Sequence, residues 1–324
     1  MNFKHGLNRR LFAIMSVAFS LSCGSAIADS YGFSSNGLSY PFAAAVARGF
    51  AEAAKAAGQK AIITDSNGSV LKQANDIQDL INQGVKGLAV MPNDSVVAES
   101  WVHEANAAHI PIVAAAEMIG NPKTRPINQV YPGVAALITQ QEVAAGVVAG
   151  KLSAQLLKQA KIQDAKVAII EGAPGYSEVT QRLQGFEQGM KDEGQSYQIV
   201  ATQPGDWTSE KGEAACQNII EAHPNVDLFF NESDDMVIGC SLAVHAAGSK
   251  ALLVGFGGSK LAIQAIKTGK VDGTVCYKPE EIGQIAFHVL YNSVTGKKSY
   301  KGDFITYPTP GVTIKNISEC KGQW

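Results

Sequence analysis

Val167-Ala168-Ile169-Ile170-Glu171-Gly172, running on into a helical stretch from Thr180 to Glu193 that halts at Gly194, decides the fold class. A short apolar run of this kind reads as a parallel strand buried on both faces. The stretch after it has apolar residues at three- and four-residue spacing, the period of one helix face. Gly194 stands where that helix should stop, because glycine takes the left-handed conformation of helix ends without steric cost. The same unit recurs outward in both directions. Apolar runs at Ala61 to Thr64, Gly87 to Met91, Ile112 to Ala115, Leu228 to Asn231 and Leu252 to Phe256 predict further strands. Phe42 to Ala57, Val70 to Gln83, Val96 to Ala108, Glu142 to Gln159 and Ser209 to Ala222 predict helices, with Gly58 and Gly84 as further stops. Alternation of this kind predicts an α/β fold with parallel sheets covered by helices on both faces.

The pattern resets, with one unit from about 29 to 129 and another from about 166 to 256, so two lobes are expected. The predicted carboxyl ends of the strands are polar or aromatic: Ser34-Ser35-Asn36, Asp65-Ser66-Asn67, Pro92-Asn93-Asp94, Glu171-Gly172, Gln203 to Trp207 and Asn231 to Asp235. Open sheets of this class gather ligand groups at that edge, and a cleft between the lobes is expected there. Polar loops also end strands that bind nothing.

The first 28 residues set the compartment. Lys4, Arg9 and Arg10 precede an apolar stretch from Leu11 to Leu21 and the small-residue site Ala26-Ile27-Ala28, the layout of an export leader cleaved after Ala28. Arg9-Arg10-Leu11-Phe12 resembles the start of a twin-arginine signal, and Cys23 lacks a good lipobox. Removal of the leader takes away three of the 27 basic side chains and none of the 29 acidic ones. The acidic balance argues against nucleic acid, whose binding needs clustered positive charge. No later stretch is apolar enough to span a bilayer, so a soluble exported protein is expected. Cys216, Cys240, Cys276 and Cys320 remain, and an even number in an oxidising compartment favours disulfides with three possible pairings. Cys216 with Cys240 and Cys276 with Cys320 is the preferred pairing, each joining segments expected to be neighbours.

Several stretches then combine. They include Tyr40-Pro41-Phe42, Asp65-Ser66-Asn67, Met91-Pro92-Asn93-Asp94-Ser95, Arg182-Leu183-Gln184-Gly185-Phe186, Gly205-Asp206-Trp207-Thr208, Asp234-Asp235-Met236 and Val254-Gly255-Phe256. In this order and spacing the chain resembles the ribose/galactose-type periplasmic solute-binding proteins of ABC importers, over nearly all of its length after the leader. The Gly205 and Asp234 stretches look most like the branch that takes furanose sugars. The resemblance implies two Rossmann-like lobes joined by three hinge crossovers near Gln140, Tyr277 and Thr306. Residues 29–139 plus 278–306 would form one lobe and 140–277 plus 307–324 the other, with both preferred disulfides inside the second. It implies a monomer working in the periplasm, a small-molecule ligand, a sugar or polyol, and an inner-membrane permease or a chemoreceptor as partner. Phe42, Trp207 and Phe256 stand where flat apolar surfaces meet a sugar ring, Tyr40 at the head of the same helix as Phe42 is counted with the ligand-binding residues, and Arg182 stands where a guanidinium fork grips the sugar's oxygens. Ordinary core packing and a surface salt bridge are the bland alternatives.

The departures carry as much information. Ala116-Glu117 stands where the family often has Asp-Arg, Met91 where Asn is frequent, Ser233 in place of Asn before Asp234, Gly257 in place of Asp, and Tyr277 in place of Gln. Each lost partner would leave a buried hydroxyl unpaired. Either Glu117, Gln140, Gln141, Tyr176 and Tyr277 supply new partners, or the ligand is less hydroxylated than a hexose. Glu117 also makes an amine-bearing ligand thinkable. No cofactor, metal or catalytic residue is expected. Gly255-Phe256-Gly257-Gly258 lacks dinucleotide spacing, no nucleophile elbow exists, the histidines are scattered, and Asp234-Asp235 reads as a helix start.

Overall fold

The computed structural model describes residues 1–2 and 28–324. Residues 3–27, which hold the leader's charged and apolar parts and Cys23, therefore lie outside the described residues. The first half builds β1 (Ser30–Ser35), α1 (Pro41–Ala56), β2 (Lys60–Asp65), α2 (Val70–Asn82), β3 (Leu88–Val90), α3 (Ala98–Ala107), β4 (Ile112–Ala115) and β5 (Val134–Ile138). Then follow α4 (Glu142–Gln159), β6 (Ala165–Glu171), α5 (Ser177–Asp192), β7 (Tyr197–Pro204), α6 (Ser209–Ala222), β8 (Leu228–Asn231), α7 (Asp234–Ala246), β9 (Leu252–Gly257), α8 (Lys260–Lys267) and β10 (Gly273–Cys276). The chain closes with α9 (Pro279–Val294), β11 (Asp303–Ile305) and β12 (Gly311–Thr313).

One sheet has the order β11-β5-β4-β3-β1-β2 and is parallel throughout. The other has the order β12-β10-β9-β8-β6-β7, parallel except where β12 runs against β10. The chain passes between the sheets three times, after β5, after β10 and after β11. In each sheet the first strand lies between the second and third, the arrangement that opens a crevice at the carboxyl edge.

Alternation along a strand divides its residues between two cores. Leu88 and Val90 of β3 pack with Ile77, Trp101 and Ile112 on one face of the first sheet. Ala89 and the following Met91 pack with Phe33, Phe50 and Phe287 on the other. This two-sided burial is why such strands read as unbroken apolar runs. The second sheet is likewise covered on both faces. Cys216 pairs with Cys240, joining α6 to α7, and Cys276 pairs with Cys320.

One packing detail positions the site. Gly146 and Gly150 of α4 face Gly185 and Gly189 of α5, and a Cβ on any of them would collide with the backbone of the opposite helix. The two helices therefore meet backbone to backbone, which brings the first turn of α4 beside the middle of α5.

Candidate functional site

A cleft of about 870 Å³, counting space open to solvent, lies between the carboxyl edges of the two sheets. The first sheet contributes Tyr40, Phe42, Met91 and Glu117, and the second contributes Tyr176, Arg182, Trp207, Ser233, Asp234 and Phe256. Gln140 and Tyr277 line it from two of the crossings. Gln141 does not. It is exposed and extended (φ −94°, ψ 104°) as the N-cap of α4, so it points away from its neighbour Gln140, as successive residues of extended backbone do.

Arg182 is buried, and its polar partners extend into the crossings. Its Nε donates to Glu142 Oε2 at 2.7 Å and its Nη1 to the Glu232 carbonyl at 2.7 Å. Tyr277 Oη donates to the same Glu142 oxygen at 2.6 Å. The other Glu142 oxygen accepts from Gln140 Nε2 at 2.6 Å, and Gln140 Oε1 accepts from Tyr307 Oη at 3.1 Å. One carboxylate thus ties Arg182 to residues from all three crossings. Burial works against the guanidinium charge, but Glu142 and Tyr277 beside it hold the proton more firmly than usual. Nη2 has no hydrogen-bond partner among the described residues, which leaves it free for a ligand oxygen.

Aromatic rings form the walls. The Arg182 guanidinium lies 4.7 Å from the Phe256 ring centre, 5.3 Å from Trp207 and 5.7 Å from Tyr277, within cation–π range. Tyr176 meets Trp207 edge to face at 6.2 Å, and Phe42 meets Trp324 likewise at 5.7 Å. Asp206 and Trp207 both have left-handed backbone (φ 47° and 65°). The Trp207 ring lies against the bare Cα of Gly172, where any side chain would overlap it.

The acids divide into satisfied and unsatisfied groups. Both oxygens of Asp234 are engaged, one by Thr274 Oγ1 and one by the Ser259 amide, each at 2.6 Å. Burial pushes its pKa up to about 6 despite those bonds. Ser233 is likewise occupied, capping α7 by accepting from the Met236 amide. Both residues line the cleft while serving the fold. Glu117 follows Ala116, which is left-handed (φ 63°), and makes no ion pair among the described residues. Burial, then Glu178 and Glu142, push its carboxyl well above the ordinary range. Glu178, in the first turn of α5, also lines the cleft and is raised chiefly by burial.

Glu232 lies just behind the cleft, fully buried, with Oε2 accepting from the Gly172 amide at 2.9 Å and Oε1 without a partner. Burial pushes its pKa up to about 8. The folded state thus keeps a proton that the unfolded chain loses near its ordinary value of about 4.3. Its contribution is fully present below that value and is lost as pH rises toward 8, on the order of a few kcal/mol. Glu232→Gln is expected to flatten the decline in stability between pH 5 and pH 8, measured by urea unfolding. An unchanged slope would mean that Glu232 is ionised in the folded state.

The sequence reading did not single out Glu142, Glu178, Asn36 or Trp324 as site residues. Glu178 stands four residues before Arg182 on one helix, a spacing that puts both on one face and was readable. Trp324 left no such signal. It reaches the cleft through the Cys276–Cys320 bond and the Lys260 amide, which donates to its carbonyl at 2.7 Å.

A family profile described as Periplasmic binding protein domain matches residues 31–298. The ribose import binding protein RbsB of Bacillus subtilis (strain 168) is 33% identical over 270 residues, 83% of this chain and 83% of that protein. RbsB of Haemophilus influenzae is 29% identical over 303 residues, covering 94% of this chain and 96% of its own. Among solved structures, an ABC transporter periplasmic solute binding protein from Actinobacillus succinogenes 130z with bound D-allose has a TM-score of 0.79. It is 24% identical, covers 90% of this chain and 99% of that one, and shows a shared fold.

Proposed function

Because the chain belongs to the periplasmic binding protein family, we propose that it is the solute-binding component of an ABC importer and captures a small sugar or polyol in the cleft. The observation that carries this reading is the gathering, from both sheets, of flat aromatic walls around Arg182 with its free Nη2. Ring faces of a sugar lie against such walls while hydroxyls take the polar groups. The chain acts as a binder, with no chemistry performed on the solute.

Residues 29–139 plus 278–306 turn as one lobe against 140–277 plus 307–324. Solute that touches both lobes stabilises the closed form by its differential affinity, and the closed form is what an inner-membrane permease reads. Residues 1–28 serve as the leader, cleaved after Ala28, and the mature chain works in the periplasm as a monomer. The Glu142 network gives the turning motion a physical handle, since a group that pulls on Arg182 pulls on all three crossings.

A thermal-shift screen of the purified chain against pentoses, hexoses, furanose-rich sugars, inositols and amine-bearing polyols tests the reading. A solute at a hundredfold excess over its Kd is expected to add about 2.7 kcal/mol of stability. Silence from every polyhydroxylated compound would overturn it.

A further inference from the structure

Resting on that reading, we propose that the solute carries a protonated amine beside its hydroxyls, as in an amino sugar or amino polyol, and that Glu117 of the first lobe and Glu178 of the second hold that amine between them.

The charge inventory of the cleft points this way. Its lining contains the acids Glu117, Glu178, Asp234 and Asp235 and a single cation, Arg182. That cation is already matched by Glu142. Asp234 is satisfied by Thr274 and Ser259 and belongs to the fold. Glu117, Glu178 and Asp235 are left facing the cleft with no ion pair among the described residues; of these, Glu178 lies near enough to Glu117 to disfavour its charge, and Arg182 reaches both only beyond ion-pair distance. With a neutral polyol the two buried carboxyls can only shed their charge by taking up protons, whereas an ammonium between them supplies the countercharge that lets both ionise.

Hydrogen-bond capacity agrees with charge. The unsatisfied polar atoms of the cleft are largely acceptors, since Asn36 Oδ1 is buried without a partner and joins the two carboxylates. An ammonium offers three donors and no acceptor, which is the complement of that set. The walls agree as well. Arg182 takes the faces of Trp207, Phe256 and Tyr277, while Tyr40, Phe42, Tyr176 and Trp324 remain as additional ring surface around the same cleft. Ring faces attract cations, whereas an anionic solute would meet repulsion from the carboxylates.

Placement on opposite lobes gives the pair a role in closure. Two carboxyls facing each other across an empty cleft disfavour each other's charge, and a cation between them turns that conflict into attraction. The amine would then favour the closed form specifically, which tight binding to one lobe alone would not.

The test uses matched pairs at pH 7 and isothermal titration of the full purified chain: D-galactosamine against D-galactose, D-glucosamine against D-glucose, and glucamine against D-glucitol. The amine member of at least one pair is expected to bind tenfold or more tightly than its hydroxyl counterpart. Glu117→Gln and Glu178→Gln are each expected to shrink that ratio at least tenfold, and the melting temperature of each empty variant reports whether it has folded. Neutral members binding as tightly as amines, or a neutral sugar binding while no amine does, would overturn the inference and leave the importer reading intact. Failure of every neutral and amine-bearing polyol would overturn both.

Discussion

Replacing Glu142 with leucine is expected to cost roughly 3–5 kcal/mol of stability, a large share of what holds a domain together. Glu142 and Arg182 are 7% and 9% exposed, so their ion pair is buried rather than solvated. Removing the carboxylate leaves a guanidinium that cannot shed its proton in a place where burial already disfavours charge. Tyr277 Oη and Gln140 Nε2 lose their acceptor in the same step, each worth about 1 kcal/mol. Glu142→Leu combined with Arg182→Leu removes both charges, and most of the lost stability is expected to return while solute binding stays lost. Urea unfolding of the two single variants and the double variant measures the coupling. A Glu142→Leu protein as stable as the parent would show that Arg182 is hydrated in solution and that the network across the crossings does not persist there.

That network also marks where reading a sequence runs out. Strands β3, β4, β6, β8 and β9 are legible because burial on both faces makes them continuous apolar runs, and the half-buried edge strand β2 is legible through its short run from Ala61 to Thr64. Strand β1 was named only by its polar end, since Gly32, Ser34 and Ser35 break its apolar pattern although nearly all of it is buried. Strand β7 is an edge strand with exposed residues at intervals, and its one apolar run, Ile199-Val200-Ala201, is flanked by polar residues on both sides. Strands β11 and β12 have three residues each, too few for any period to show. Within the cleft, Trp207, Phe256 and Arg182 were legible through the family resemblance, since residue type and position suffice to place a ring or a fork at a strand end. Glu142 reads in sequence as an ordinary acid in the first turn of a helix, favourable to its dipole. Only the glycine seam between α4 and α5 turns it toward Arg182, and that seam depends on residues about forty positions apart. Gln141 failed for the opposite reason. Its neighbour faces the cleft, and one step along extended backbone reverses direction.

Replacing Trp207 with alanine is expected to weaken solute binding by tenfold to a hundredfold, about 1.4 to 2.8 kcal/mol. The ring supplies a wall of the cleft, an edge for Tyr176 and a face for Arg182, and losses of this kind run from about 0.5 to 2 kcal/mol each. Trp207→Gly removes the same ring and is expected to lose the same affinity. The two variants should differ in stability instead. Trp207 sits at φ 65°, a conformation that costs any side chain with a Cβ roughly 1–2 kcal/mol and glycine almost nothing. The glycine variant is therefore expected to be about 1 kcal/mol more stable than the alanine variant, after allowance for glycine's greater freedom when unfolded. Urea unfolding and solute titration of both proteins separate the two effects. Equal stability would mean that the turn relaxes once the ring is gone, so that the ring itself holds Asp206 and Trp207 in the left-handed region. Unchanged affinity in both variants would make Trp207 a strut over Gly172 and remove it from the binding wall. The expected pattern, affinity lost twice and stability recovered once, instead assigns the strained backbone to aiming the ring into the cleft, with solute contact as the reason the strain persists.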